Sequence, residues 1–267
     1  SVAAGDYYMI QQRIEGLNTH HLNWGSSNPK DVTLSFWVRS TVSGVYSVSL
    51  WRDNQTYNYV TSYTINSANT WEYKTVTIPG PTGGTWATTN GVGIGIWWDL
   101  GSGTTYSTAT TETWGQNNKF RVPTQKSWIG TGSAEFRLTG VQLEVGKNAT
   151  DFEHLSYGTE LALCQRYYVQ GGQGMMVIPS SGTAGDGFWQ CPVPMRTTAA
   201  TVAHLNNYPM LPPSGSTNRT GSNTVFNSLS PNGGLRVTVT SSGLDTGEKI
   251  YMCRESSDVS FSVSAEL

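Results

Sequence analysis

Apolar and polar residues alternate along most of the chain. In Thr33-Leu34-Ser35-Phe36-Trp37-Val38-Arg39, Leu34, Phe36 and Val38 fall on one face and Ser35, Trp37 and Arg39 on the other. A pleated strand sends successive side chains to opposite faces, so this run predicts a strand with at least one buried face. Val45 to Trp51 repeats the pattern, with Tyr46, Val48 and Leu50 on one side. Gly44 lies in the short segment between the two runs, which together read as a hairpin. Further strands are predicted at Tyr57–Ile65, Trp71–Ile78 and Gly91–Leu100, with a closing pair in Ser133–Val145 bent near Gly140. Pro79-Gly80-Pro81 and Thr82-Gly83-Gly84 mark a loop.

Only Thr159–Arg166 reads as helical, with Thr159 as cap, Glu160 in the first turn and Leu161, Leu163 and Cys164 on an apolar side. It is short and serves as a connector. Beyond a Gly-rich breaker at 171–174, strands are predicted at Met175–Ile178, Phe188–Pro194, Ala199–Leu205, Thr224–Leu229, Leu235–Thr240, Lys249–Arg254 and Val259–Glu266. Pro209 to Ser216 is assigned to a loop, because proline cannot donate to a strand ladder. The expected architecture is all-β: a β-sandwich at 1–157, a helical connector at 158–168 and a smaller C-terminal β-sandwich at 169–267. The chain enters strand-like sequence close to Ser1, as a piece of a longer protein would.

Charge changes the reading of partners. Lys and Arg total 16 against 18 Asp and Glu, a net charge of −2, and only 13% of residues are charged. No basic field is present to hold nucleic acid or an anionic membrane, and no apolar run is long enough to span one. A surface wet by Ser, Thr, Asn and Gln suits hydroxyl-rich ligands. The three cysteines, Cys164, Cys191 and Cys253, match no metal or redox spacing and are expected as free thiols. The sequons at Asn54, Asn148 and Asn218 would matter only in a eukaryotic secretory path, which nothing else supports.

Catalytic signals are weak. Asp53, Glu72, Asp99, Glu112, Glu135, Glu144 and Glu153 are candidate acids, but no spacing pairs two of them across a glycosidic bond. His20, His21, His154 and His204 form no metal motif, and no nucleophile elbow occurs. No enzyme activity is expected. Binding has better material, because the 10 Trp and 13 Tyr combine apolar faces with polar handles. In Gly91–Leu100, Val92, Ile94, Ile96 and Trp98 share one face, and Gly93, Gly95, Trp97 and Asp99 the other. The second set either leaves an open shelf for a sugar ring on Trp97, with Asp99 as acceptor, or lets a neighbouring segment pack close and seal Trp97 beneath it. Trp51 and Tyr57 flank a polar loop, and Trp86 and Trp114 lie in Gly/Thr-rich loops, so all four join Trp97 and Asp99 as glycan-contact candidates. Trp37 and Trp71 sit within strand patterns and are assigned to the core. In the C-terminal part, Tyr208, Arg219 and Asn223 lie in or near the longest loop and are candidate tip contacts. Met175, Met176, Met195 and Met210 either line the small core or pack at a symmetry axis.

Several segments carry a family resemblance. TGVQLE-x-G-x-x-AT-x-FE at Thr139–Glu153 and EL-x-x-CQRYY at Glu160–Tyr168 resemble a signature of phage tail-fibre and receptor-binding proteins. QQRIEG at Gln11–Gly16, TLSFWVRS at Thr33–Ser40, NTWEYKTVTIPGPTGGTW at Asn69–Trp86, CPVPMR at Cys191–Arg196 and the terminal SAEL continue the likeness. The resemblance implies a jelly-roll sandwich similar to carbohydrate-binding modules of the family 4/9 type, followed by a C-terminal tip domain. It further implies a homotrimer carried by the N-terminal remainder of a fibre, assembled in the bacterial cytoplasm into a virion. The partner it implies is a host cell-surface polysaccharide or lipopolysaccharide. A glycan depolymerase of tailspike type, or an appendage of one, is the alternative; a purely structural fibre or capsid-decoration segment is another. A structural Ca²⁺ is compatible with such a jelly roll, but no loop dense in Asp and Glu calls for one, so no cofactor is expected.

Overall fold

The computed structural model describes residues 2–171, 175–204, 208–211, 219–240, 244, 250–253 and 261–266. The chain divides into two compact units, Ser1–His154 and Leu155–Glu266. Both are built almost wholly of antiparallel strands.

The first unit runs β1 (Met9–Glu15), a one-turn helix α1 (Gly16–Thr19), β2 (Val32–Ser40), β3 (Gly44–Trp51), β4 (Asn58–Ile65), β5 (Glu72–Ile78), β6 (Val92–Asp99), β7 (Trp114–Gln116) and β8 (Phe136–Val145). One sheet has the order β1-β6-β3-β4-β7 and the other β5-β2-β8. Leu34, Phe36 and Val38 of β2 are buried with Tyr46, Val48 and Leu50 of β3 and with Ile94, Ile96 and Trp98 of β6. Each such side chain contributes about 1.5–3 kcal/mol by leaving water. This is the β-sandwich that alternation predicts.

The hairpin expected from Gly44 does not form. β2 pairs with β5 and β8, whereas β3 pairs with β4 and β6. The short link at Gly44, with φ +132°, carries the chain from one sheet to the other. The reason is geometric: in facing sheets the apolar faces of β2 and β3 pack on each other, whereas as neighbours both would need a third layer. The closing pair is also a single strand, β8. Trp37 opposes Thr139 and Ser35 opposes Gln142, so Gly140 and Val141 together stand across from Phe36. Gly140, at φ +58°, supplies the left-handed residue of this bulge.

Both faces of β3 are covered. Ser47, Ser49 and Trp51 are as buried as the core side, because the segment after β6 crosses over them. Ser47 N–H donates to Gln125 Oε1 (2.9 Å), Val122 N–H donates to Ser47 Oγ (2.8 Å) and Lys126 N–H donates to Val45 O (2.8 Å). The opposite sheet is covered only in part: Thr33 and Ser35 are buried where the chain returns after β8, Thr33 Oγ1 donating to Gly146 O (2.8 Å), and the rest of the face is open among the described residues. Trp37 and Trp71, assigned to the core from their strand context, are instead 43% and 42% exposed. Trp37 belongs to the outward phase of β2, at a point where no described segment lies over it.

The second unit begins with α2 (Tyr157–Gln165), followed by β9 (Tyr168–Gly171), β10 (Met176–Pro179), β11 (Ala184–Gln190), β12 (Thr201–His204), β13 (Tyr208–Leu211), β14 (Arg219–Leu229), β15 (Gly234–Thr240), β16 (Tyr251–Cys253) and β17 (Phe261–Ser264). Ser156, not Thr159, caps α2, its Oγ accepting from Thr159 N–H (3.4 Å). α2 leaves Leu161 and Leu163 exposed. Strands β10-β11-β15-β14-β13-β16 close into a ring, and β12-β17-β9 form a separate sheet. Met175, Val177, Val237, Val239, Tyr251 and Val263 fill the core. Met195 is buried as well, whereas Met176 is exposed; the Met210 side chain lies outside the described residues. Pro209, expected in a loop, sits in β13 opposite Thr220. The strand expected to run through Pro194 stops at Gln190, before the first proline.

Segments far apart in sequence meet in this unit. Arg196 N–H donates to Arg166 O (2.9 Å) and Ala265 N–H donates to Tyr167 O (2.7 Å). The Arg196 guanidinium donates to Ala265 O (2.6 Å) and Glu266 O (2.9 Å). The motifs around Cys164, Cys191 and the C-terminal strand are therefore one connected network.

Candidate functional site

The outer face of the β1-β6-β3 sheet carries a row of aromatic rings that begins deep and ends in solvent. Glycine at position 95 lets Trp51 of β3 lie across β6; a Cβ there would stand 1.9 Å from Trp51 Cε2. Trp51 packs on Trp97 (ring centroids 4.9 Å apart), Trp97 on Phe120 (4.9 Å), Phe120 on Tyr106 (4.6 Å) and Tyr106 on Tyr7 (5.8 Å). Trp97 is 2% exposed and Tyr7 is 62% exposed. Met9, Gln11 and Arg13 of β1 project beside this row, with Gln11 directly opposite Trp97 in the ladder.

These groups enclose a cleft of about 260 Å³, with Gln55 and Asn118 on its rim. With its amide oxygen turned inward, Gln11 accepts from Trp97 Nε1 (3.0 Å) and Arg13 Nε (3.3 Å). Asn118 N–H donates to Gln55 O (3.0 Å), and both residues hold positive φ, 49° and 60°. A left-handed glutamine costs about 1–2 kcal/mol, a strain that clusters at ligand-contacting loops. The cleft can stack an apolar ring face on Tyr7 and Tyr106 and offer amides and a guanidinium to hydroxyl groups.

The open shelf on Trp97 and Asp99 is not formed; the packed alternative is. The space above Gly95 is filled by Trp51, and a Cβ at Gly93 would meet Thr19 Oγ1 at 2.3 Å. Asp99 is fully buried, its Oδ1 accepting from the N–H groups of Gly101 (2.7 Å) and Ser102 (2.8 Å). Burial pushes its carboxyl pKa up, and the hydrogen bonds from Ser102 and Gly101 pull it partly back. It fastens the turn that leads into the covering segment and presents nothing to a ligand. Trp51 is likewise sealed. Trp97 still forms the inner wall of the cleft.

Asp99 yields a pH prediction. A carboxyl whose folded pKa lies above its unfolded value adds stability that is full below the unfolded pKa and fades as pH rises through the folded one. Asp99→Asn, which keeps an acceptor, should remove that pH dependence and cost little at neutral pH. Asp99→Ala strands two buried N–H groups and should cost about 1–3 kcal/mol. Urea melts of both variants between pH 4 and 8 check this; equal losses would refute it.

Tyr57, Trp86 and Trp114 lie elsewhere. Trp24, Trp86 and Trp114 pack edge to face (centroids 4.8–5.4 Å apart), and Tyr57 stacks on Trp114 at 5.9 Å. Their indole N–H groups are engaged: Trp86 with Gly83 O (3.1 Å), Trp114 with Pro79 O (2.6 Å) and Trp24 with Lys30 O (2.8 Å). This cluster fastens the Pro/Gly loop to the core. The six sequence candidates are thus split between two places. Tyr208, Arg219 and Asn223 have backbone in β13 and β14, but their side chains, and the loop at 212–218, lie outside the described residues.

Among the acids, burial alone would raise Glu72, but Lys74 Nζ at 2.6 Å and the N–H groups of Ser67 and Asn66 bring its pKa down to about 2. Hydrogen bonds from Gln142 and Thr150 lower Glu144. Both are fold-holding acceptors. No group of three or more His, Cys, Asp or Glu gathers among the described residues, and no helix there is long and apolar enough to cross a membrane.

Of the cleft residues only Trp97 was singled out in sequence; Tyr7, Met9, Gln11, Arg13, Gln55, Tyr106, Asn118 and Phe120 were missed. Polar Gln11 and Arg13 in phase with Met9 were the available signal. No protein-family model, no curated protein and no solved structure matches the chain.

Proposed function

We propose that this chain is a non-catalytic adhesion region of a phage tail fibre, whose jelly-roll unit holds a neutral host surface glycan in the cleft beside β1. The observation that carries the reading is the cleft itself, where stepped aromatic rings and the polar residues Gln11, Arg13, Gln55 and Asn118 line one space of about 260 Å³. That size suits one sugar ring of a polysaccharide or lipopolysaccharide chain, since whole drug-sized ligands occupy about 300–1,000 Å³. Sugars present apolar C–H faces to aromatic rings and hydroxyls to amides, which is the pairing available here. One such site binds weakly; a millimolar contact is worth about −4 kcal/mol. A homotrimeric fibre would multiply it by presenting several copies to a repeating surface polymer.

The test is glycan-array and whole-cell binding by the wild type, Tyr7→Ala and Gln11→Ala. Each substitution should weaken binding about tenfold, the loss of roughly 1.4 kcal/mol. Tyr7→Ala should leave the melting temperature unchanged, whereas Gln11→Ala, which takes the acceptor from Trp97 Nε1, should cost at most about 1–3 kcal/mol of stability. Unaltered binding in both variants would remove the cleft from the mechanism. Release of new reducing ends would favour the depolymerase alternative. A stable trimer that binds no glycan would favour the structural one.

A further inference from the structure

We infer that the first unit carries a second saccharide site, on the part of the outer face of the β5-β2-β8 sheet that the chain returning after β8 leaves open. Its platform is Trp37 with Tyr73, register partners across β2 and β5, whose rings lie 5.3 Å apart at 45°. Each is 43% exposed. Large aromatics seldom stand adjacent in water without a partner.

A wall rises beside the platform. After β8 the chain folds back over its own strand, and Gln142 and Glu144 clamp it there. Thr150 N–H donates to Glu144 Oε2 (3.0 Å), Thr150 Oγ1 donates to Glu144 Oε1, and Glu153 N–H donates to Gln142 Oε1 (2.8 Å). This sets Ala149, Thr150, Asp151 and Phe152 along one side of a groove of about 520 Å³, with Trp37 and Tyr73 on its floor. The bulge keeps the floor clear: a Cβ at Gly140 would stand 3.2 Å from Trp37 Cδ1.

Three polar groups on the groove residues are unspent. Among the described residues, none hydrogen-bonds to Trp37 Nε1, to the Tyr73 hydroxyl or to the Asp151 carboxylate, although the Asp151 carbonyl is held by Gln142 Nε2 (3.3 Å). A ring plane, two donors and a free carboxylate converge on one space. Vicinal hydroxyls satisfy that carboxylate while it stays wet. A flat apolar protein face would bury it unpaired, which is costly. The site therefore takes a pyranose, stacked on Trp37 with two hydroxyls directed to Asp151.

The choice of a saccharide rests on the adhesion reading, whereas the groove is separate from the cleft. The experiment is NMR of the full chain, following the indole N–H signals of Trp37 and Trp97 during titration with gluco-, galacto-, manno- and rhamno-configured oligosaccharides. The Trp37 signal should move with at least one of them, and still move in Gln11→Ala. The affinity it reports should fall about tenfold in Asp151→Asn, and the accompanying shifts of the Gly140 and Thr150 backbone amides, which line the same groove, should vanish in Trp37→Ala. Shifts at Trp97 without shifts at Trp37 would overturn this inference and leave the cleft reading standing. No shift at either indole would overturn both. A change of oligomeric state in Trp37→Ala, with no saccharide response, would make this face a contact between copies and also overturn it.

Discussion

Gly95→Ala should leave the first unit unfolded or nearly so. The added Cβ would stand 1.9 Å, 2.1 Å and 2.3 Å from Cε2, Cζ2 and Nε1 of Trp51. Trp51 cannot step aside, because it is sealed against Trp97 and Phe120. Overpacking alone costs about 1–3 kcal/mol. Expelling a buried indole costs about 3–5 kcal/mol more, and whole domains are stable by only about 5–15 kcal/mol. Soluble yield and urea denaturation of the variant give the answer. A midpoint within experimental error of the wild type would show that the close approach of β6 and Trp51 is wrong.

Trp97→Ala should be the next most damaging change. It removes a ring packed on both Trp51 and Phe120. The expected loss is about 3–5 kcal/mol, a fall in melting temperature on the order of 10 °C. Trp37→Ala, in a strand of equal regularity, should cost no more than about 0.5 kcal/mol. Calorimetry of the pair separates these outcomes; similar melting temperatures would contradict the assigned burial. A consequence for binding assays follows. Lost binding in Trp97→Ala would report unfolding as readily as a lost contact, so the exposed Tyr7 is the sounder probe of the cleft.

Alternation made the all-β class and most strand positions legible, because burial on one face imposes it residue by residue. Leu34, Phe36, Val38, Ile94, Ile96 and Trp98 lie where their phase puts them. Phase does not say which strand lies alongside which, so β2 and β3 read as a hairpin although they occupy different sheets. Nor does it say whether the second face is covered. Trp37 and Trp97 both sit in the non-core phase of their strands. One is open and the other sealed only because the segment from 100 to 131 folds over the β3-β6 side. That long-range choice leaves no local mark. The paired glycines 93 and 95 did mark a close approach, and they could not by themselves tell a ligand from Trp51. Gln142 and Glu144 show the converse: two polar residues two apart, unremarkable alone, clamp a loop that shapes a groove.

The meeting of Arg166, Tyr167, Arg196 and Ala265 has a mechanical meaning. Tension that enters the second unit along α2 reaches Tyr167, where the chain is already tied to β17's extension and to the Arg196 turn. Those ties share the load and must yield together, whereas a hairpin peeled from its end gives way one rung at a time. Under the proposed adhesion role, a pull from a bound surface would meet its resistance at this knot.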